Sequence, residues 1–152
     1  MIQKHIDITY SEFRSVDEMI PEDRDLVGAA IEAMNGAYAP YSHFHVGAAV
    51  RLSNGQIVKG SNQENAAFPS GLCAERTAMF AASSRYPDKD MLSIAIAGGV
   101  LCKLGTFPAT PCGACRQVMA QYQAKSGKPM SVIMVADGLI WKFDRVDDIL
   151  PL

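Results

Sequence analysis

The run LSIAIAGG at residues 92–99 decides the fold class. It is almost wholly apolar and lies between an Asp-rich and a Gly-rich segment, which predicts a short strand buried on both faces. Downstream, a loop through Pro108 and Pro111 leads into a predicted helix at about Gly113–Lys125. SVIMVAD (131–137) and LIWKF (139–143) follow as two strands joined by a turn at Asp137-Gly138. Upstream, Leu72–Ser84 is rich in Ala and Met with no breaker and predicts a second helix. VGAAVRL (46–52) and QIVKG (56–60) form a hairpin across Ser53-Asn54-Gly55, where Asn-Gly is the strongest short turn signal. From about Pro21, acidic residues precede apolar ones at Leu26, Val27, Ala30, Ile31 and Met34. This is helical spacing with Gly36 placed to end it. Apolar strands separated by helices predict an α/β protein, a three-layer α/β/α sandwich around a mixed sheet of about five strands.

The chain has 152 residues, enough for one domain. No repeat, low-complexity tract or linker divides it, so residues 21–152 read as one domain. Residues 1–20, of mixed polarity, read as an arm that is loosely attached or forms a short strand. The hydrophobic share of 49% excludes a disordered chain, which would be polar and highly charged. Lys and Arg number 14 against 16 Asp and Glu, a net charge of −2, which argues against a nucleic-acid partner held on a basic face. No apolar run approaches the length of a membrane span, and the N-terminus lacks the basic and apolar regions of a signal peptide. A cytoplasmic location is therefore expected.

In a reducing compartment the four cysteines should not form structural disulfides, which leaves metal ligation, catalysis or packing. Cys112-Gly113-Ala114-Cys115 starts a predicted helix, where residues three apart share a face and the helix N-terminus favours thiolate. Pro111 suits the first helical position, which needs no N–H. Alone, such a pair is as readily a redox couple or half of a structural zinc site as part of a catalytic one. Cys73, at another helix start, supplies a third sulfur. Three protein ligands with an open position describe a catalytic zinc, and four describe a structural one. Cys102 is either that fourth ligand or, as its setting in GGVLCKLG suggests, a packed free thiol. His5, His43 and His45 read as non-ligands. Glu75, two residues after Cys73, is a first-turn glutamate that suits the helix dipole. Beside an open metal position it is also placed to take and return a proton.

Cys-x-Glu and Pro-Cys-x-x-Cys together match the signature of zinc-dependent nucleobase deaminases. Four stretches carry the likeness further: APYSHFHVGAA (39–49), GSNQENAAFP (60–69), GLCAERTA (71–78) and TPCGACRQ (110–117). In this order, across about residues 22–143, the chain resembles cytidine deaminases of the short, three-cysteine, homotetrameric type.

The resemblance implies zinc, one per subunit, on Cys73, Cys112 and Cys115, with Glu75 as the catalytic proton shuttle. It implies Phe44 stacking on a pyrimidine, Asn62 and Glu64 on ribose hydroxyls, and backbone groups of Ala74 and Thr110 at the base edge and leaving ammonia. The expected reaction is hydrolytic deamination of cytidine and deoxycytidine, in pyrimidine salvage. The expected partners are a small nucleoside and further copies of the chain. Charge assigns Arg76 a role, because three thiolates on Zn²⁺ leave −1, which a first-turn arginine can offset. Arg116 reads as a surface or interface residue. The tail, Asp148–Leu152, departs from the family pattern of an aromatic residue reaching a substrate pocket, and Leu152 and Phe143 are the candidates to replace it. Two rivals remain: a deaminase of modified cytosine nucleosides, of the blasticidin type, and a non-catalytic structural zinc module.

Overall fold

A computed structural model describes residues 1–152. The strands are β1 (Ser11–Phe13), β2 (Phe44–Leu52), β3 (Ile57–Ser61), β4 (Met91–Val100), β5 (Ser131–Ala136) and β6 (Leu139–Phe143). The helices are α1 (Pro21–Ala33), α2 (Ala74–Arg85) and α3 (Gly113–Ser126). The strands form one sheet in the order β1-β6-β5-β4-β2-β3. Only β4 and β5 run parallel, and α3 makes the crossover between them; every other pairing is antiparallel.

Period-two alternation explains both layers. Along β2, Ala48 and Val50 join α2 and α3 in one core, while Ala49 between them joins α1 in the other. In β4, Ile94 and Ile96 face the first core and Ala95 and Ala97 the second. The central strands are thus buried on both faces, as their apolar run required. Two glycines let the helices approach. A side chain at Gly47 would strike the Ala30 carbonyl of α1, and one at Gly60 would strike the Ala78 backbone of α2.

The sheet has six strands rather than about five. The sixth is β1, the end of the N-terminal arm, which pairs Ser11, Glu12 and Phe13 with Lys142, Trp141 and Ile140. Helix α1 ends at Ala33, and a 3-10 turn carries the chain to Gly36. Helix α3 starts at Gly113 with Cys112 as its N-cap, so Pro111 precedes the cap instead of occupying the first turn. Asp23 of α1 is held by Lys142 of β6 at 2.5 Å, an ion pair that is largely buried. No helix is long and apolar enough to cross a membrane.

Candidate active site

Helices α2 and α3 aim their N-termini at one point, and Cys73 and Cys112 are their N-caps. Neither cap side chain bonds the free backbone amides of its own helix. Cys115, one turn into α3, is buried beneath them. The Sγ atoms of Cys73 and Cys112 are 3.8 Å apart, and those of Cys112 and Cys115 are 3.5 Å apart. All three sulfurs lie within 4.8 Å of one another. Four ligands placed tetrahedrally at about 2.3 Å from zinc stand about 3.8 Å from each other. The sulfurs therefore fit a single zinc ion, and they are far too distant for disulfides. The cluster contains no histidine, and Cys102 is not part of it.

The electrostatics favour thiolate at Cys73. The Cys115 thiol beside it, and then the Arg76 guanidinium, hold Cys73 down to about 5 against its partial burial. Cys115 is pushed up, its proton kept against the Cys73 sulfur and its surroundings poor in water. Arg76 Nη2 donates to Cys73 Sγ at 3.6 Å, while its buried Nε has no partner. A guanidinium turned into a sulfur cluster suits a site of net negative charge.

Glu75 occupies the first turn of α2 and is 4% exposed. Burial is the main reason its carboxyl is pushed up to about 7, with the Cys73 charge adding to it. It lines a cleft of about 320 Å³ together with Cys73 and Cys112. Phe44, Asn62, Glu64, Ala74 and Thr110 line the same cleft, so the structure brings together residues spread over 69 positions of chain, from Phe44 to Cys112. Arg76 lines a wider adjoining cleft of about 660 Å³, which shares Ser42, Asn62, Glu64 and Cys73 with the first and opens outward past Phe68 and Leu72.

The cleft wall is held by polar contacts that sequence reasoning missed. Asn62 Oδ1 accepts from the Val46 amide at 2.8 Å, and its Nδ2 donates to the Phe44 carbonyl at 2.9 Å. This leaves the amide one further N–H. Glu64 accepts from the Ser42 hydroxyl and, at 2.9 Å, from the Tyr41 amide. These bonds, the Ser42 one first, hold its carboxyl below the usual carboxylate range. Ser42 was legible only as a polar residue beside Tyr41 and gave no signal of its own.

Three expectations change. Cys102 is exposed rather than packed; it sits at φ 60° in the turn after β4, with its sulfur 3.6 Å from the Met34 carbonyl. Arg116 is turned inward, its Nε donating to the Pro111 carbonyl at 2.8 Å and its Nη1 to the Ile149 carbonyl at 3.1 Å. Phe143 is buried in the core against Tyr10, which removes it as a terminal aromatic, while Leu152 is fully exposed.

A mixed α/β/α sandwich with three convergent sulfurs at two helix N-termini, spaced to hold a metal ion, defines the class of scaffold. A family model described as the cytidine and deoxycytidylate deaminase zinc-binding region matches residues 20–128. The cytidine deaminase of Halalkalibacterium halodurans is 46% identical over 96 residues, covering 63% of this chain and 68% of that protein. The crystal structure of cytidine deaminase from Burkholderia pseudomallei superposes with a TM-score of 0.71 at 39% identity, covering 84% of this chain and 94% of that one. That of Mycobacterium tuberculosis cytidine deaminase gives 0.68 at 31% identity, covering 88% and 96%. The chain belongs to the cytidine and deoxycytidylate deaminase family, a family of enzymes, and shares the fold of its cytidine deaminases.

Proposed function

We propose that the chain hydrolyses cytidine and deoxycytidine to uridine and deoxyuridine, releasing ammonia, as a cytoplasmic enzyme of pyrimidine salvage. The observation that carries the reading is a buried carboxyl group, Glu75, that lines one cleft with Cys73 and Cys112, two of three convergent sulfurs. The names of the relatives support the substrate class.

Cys73, Cys112 and Cys115 would hold one zinc per subunit. When bound, that ion supplies the Lewis acidity that makes water a nucleophile near neutral pH. Glu75 moves the protons. A carboxyl raised to about 7 both accepts and donates readily at neutral pH. Glu75 takes a proton from the attacking water and passes it to ring N3, and the oxygen adds to C4. Glu75 then carries the remaining hydroxyl proton to the exocyclic amine. The C4–N bond breaks, ammonia leaves, and the C4 carbonyl of the uridine product forms. One water is consumed for each ammonia released.

The other residues bind and orient. Phe44 stacks on the pyrimidine, Asn62 and Glu64 take the ribose hydroxyls, and backbone groups of Ala74 and Thr110 meet the base edge and the departing ammonia. Arg76 offsets the net negative charge of three thiolates on a divalent ion. The protein works as a homotetramer. Support for this comes from the outer cleft, where Phe68 is 90% exposed and Tyr41 62%, an apolar opening that a neighbouring copy would cover.

The test is incubation of zinc-loaded protein with cytidine and with deoxycytidine, following the uridine products with and without a chelator. Conversion of both that the chelator abolishes supports the reading. No conversion at full zinc occupancy, or conversion only of a modified cytosine nucleoside in a parallel panel, overturns it.

A further inference from the structure

The N-terminal arm is linked to the loop before α3 by a chain of aromatic contacts. Glu12 of β1 lies opposite Trp141 of β6, and the Trp141 indole N–H donates to its carboxylate at 3.1 Å. Just before β1, the Tyr10 ring stacks on Phe143 at 5.1 Å between centroids and meets Trp141 at 5.5 Å. Trp141 in turn receives Phe107 edge-on at 4.8 Å. Phe107 lies three residues before Thr110 and five before Cys112.

The segment holding Phe107 has little else to fix it. Gly105 is anchored by donating to the Gly98 carbonyl and accepting from the Asp137 amide, both through its backbone. The Pro111 carbonyl is anchored by Arg116. Between these points, Thr106–Thr110 makes no backbone hydrogen bond. Its position depends on packing, through buried Pro108 and through Phe107 on Trp141. Aromatic pairs of this geometry contribute beyond their buried area, and they constrain orientation.

We propose that the N-terminal arm is a positioning element of the site: Tyr10 and Glu12 hold Trp141, Trp141 holds Phe107, and the arm thereby sets where Thr110 and Cys112 stand. The proposal rests on the deaminase reading for what Thr110 and Cys112 do there. Tyr10, Glu12, Trp141 and Phe107 are positioning residues, since none of them lines the cleft that holds Glu75.

The experiment compares zinc-loaded full chains of wild type, Tyr10→Phe, Tyr10→Ala, Glu12→Gln, Phe107→Ala and the Tyr10→Ala/Phe107→Ala double variant. Four quantities are read: KM and kcat for cytidine, the rate at which zinc passes to a chelator, and acrylamide quenching of Trp141. Trp141 is the sole tryptophan, so the quenching has one origin. Tyr10→Ala and Phe107→Ala should each raise KM about tenfold with kcat changed less than twofold, and should speed zinc transfer severalfold. Tyr10→Phe, which keeps the ring, should match wild type, and the double variant should be no worse than Phe107→Ala. Glu12→Gln, milder than either alanine variant, gives a smaller shift in the same direction and serves if Tyr10→Ala fails to fold. The proposal is overturned if arm variants increase Trp141 quenching yet leave KM and zinc transfer at wild-type values. Additive effects in the double variant overturn it too, because the arm would then act by another route. If wild type itself does not turn over cytidine, the deaminase reading fails, while the zinc-transfer rates still decide whether the arm positions Cys112.

Discussion

Replacing Glu75 by glutamine should separate function from stability in opposite directions. Glu75 is 4% exposed, and burial raises its carboxyl from 4.5 to about 7. A carboxyl whose folded value is raised favours folding fully below the unfolded value. That favour is lost as pH rises from 4.5 through 7, because the unfolded chain ionises freely and the folded one resists. The interval between 4.5 and about 7 corresponds to about 3 kcal/mol. Glutamine has nearly the same shape and never ionises, so it escapes that cost. In metal-free protein the melting temperature of Glu75→Gln should equal that of wild type near pH 4.5. By pH 8 it should exceed wild type by about 6–12 °C, taking about 2–4 °C per kcal/mol for a chain of this size. Under the same substitution, turnover of zinc-loaded protein should fall by about 10²–10⁴, the usual worth of a positioned proton carrier. Calorimetry from pH 4.5 to 8 on both proteins gives the first result, and ammonia release gives the second. A stability difference that does not grow with pH would refute the reasoning about burial. Retained turnover would refute the proton-carrying role.

Other substitutions test the rest of the site and its frame. Ser42→Ala removes the first of the bonds that hold the Glu64 carboxyl down, so that carboxyl should rise toward its ordinary value. KM for cytidine should increase, and its acid limb should move to higher pH in a profile from pH 4 to 7. Cys102→Ser should leave zinc content and turnover unchanged, because its sulfur faces the Met34 carbonyl outside the cluster; loss of zinc would make Cys102 a ligand. Gly47→Ala forces a methyl group into the Ala30 carbonyl and should cost at least about 1–3 kcal/mol in urea unfolding, whereas a neutral result would mean that α1 is free to shift.

What the sequence made legible was what has a local signature. The hairpin turn at Asn54-Gly55, the apolar run of β4 and the acidic start of α1 each follow from backbone chemistry within a few residues, and each element stands where that chemistry puts it. The cysteine pattern likewise reflects helix spacing, and Cys73, Cys112 and Cys115 converge. Contacts between distant segments carried no such mark. Nothing near Ser11 announces a pairing with Lys142, nothing near Ser42 announces its bond to Glu64, and Arg116 looked like surface because its acceptors, Pro111 and Ile149, are backbone carbonyls. Cys102 was misplaced for the opposite reason. A cysteine in an apolar run suggests packing, but the chain turns there through two residues of positive φ and leaves the residue exposed, with only its sulfur reaching the Met34 carbonyl.

The most direct test of the account is to run the reaction with cytidine in water enriched in oxygen-18, using zinc-loaded wild type and Glu75→Gln. Wild type should release one ammonia per cytidine and place one labelled oxygen at C4 of uridine, and Glu75→Gln with the same zinc content should do so at least about a hundredfold more slowly. Ammonia released without label in the uridine, or equal rates in the two proteins, would contradict it.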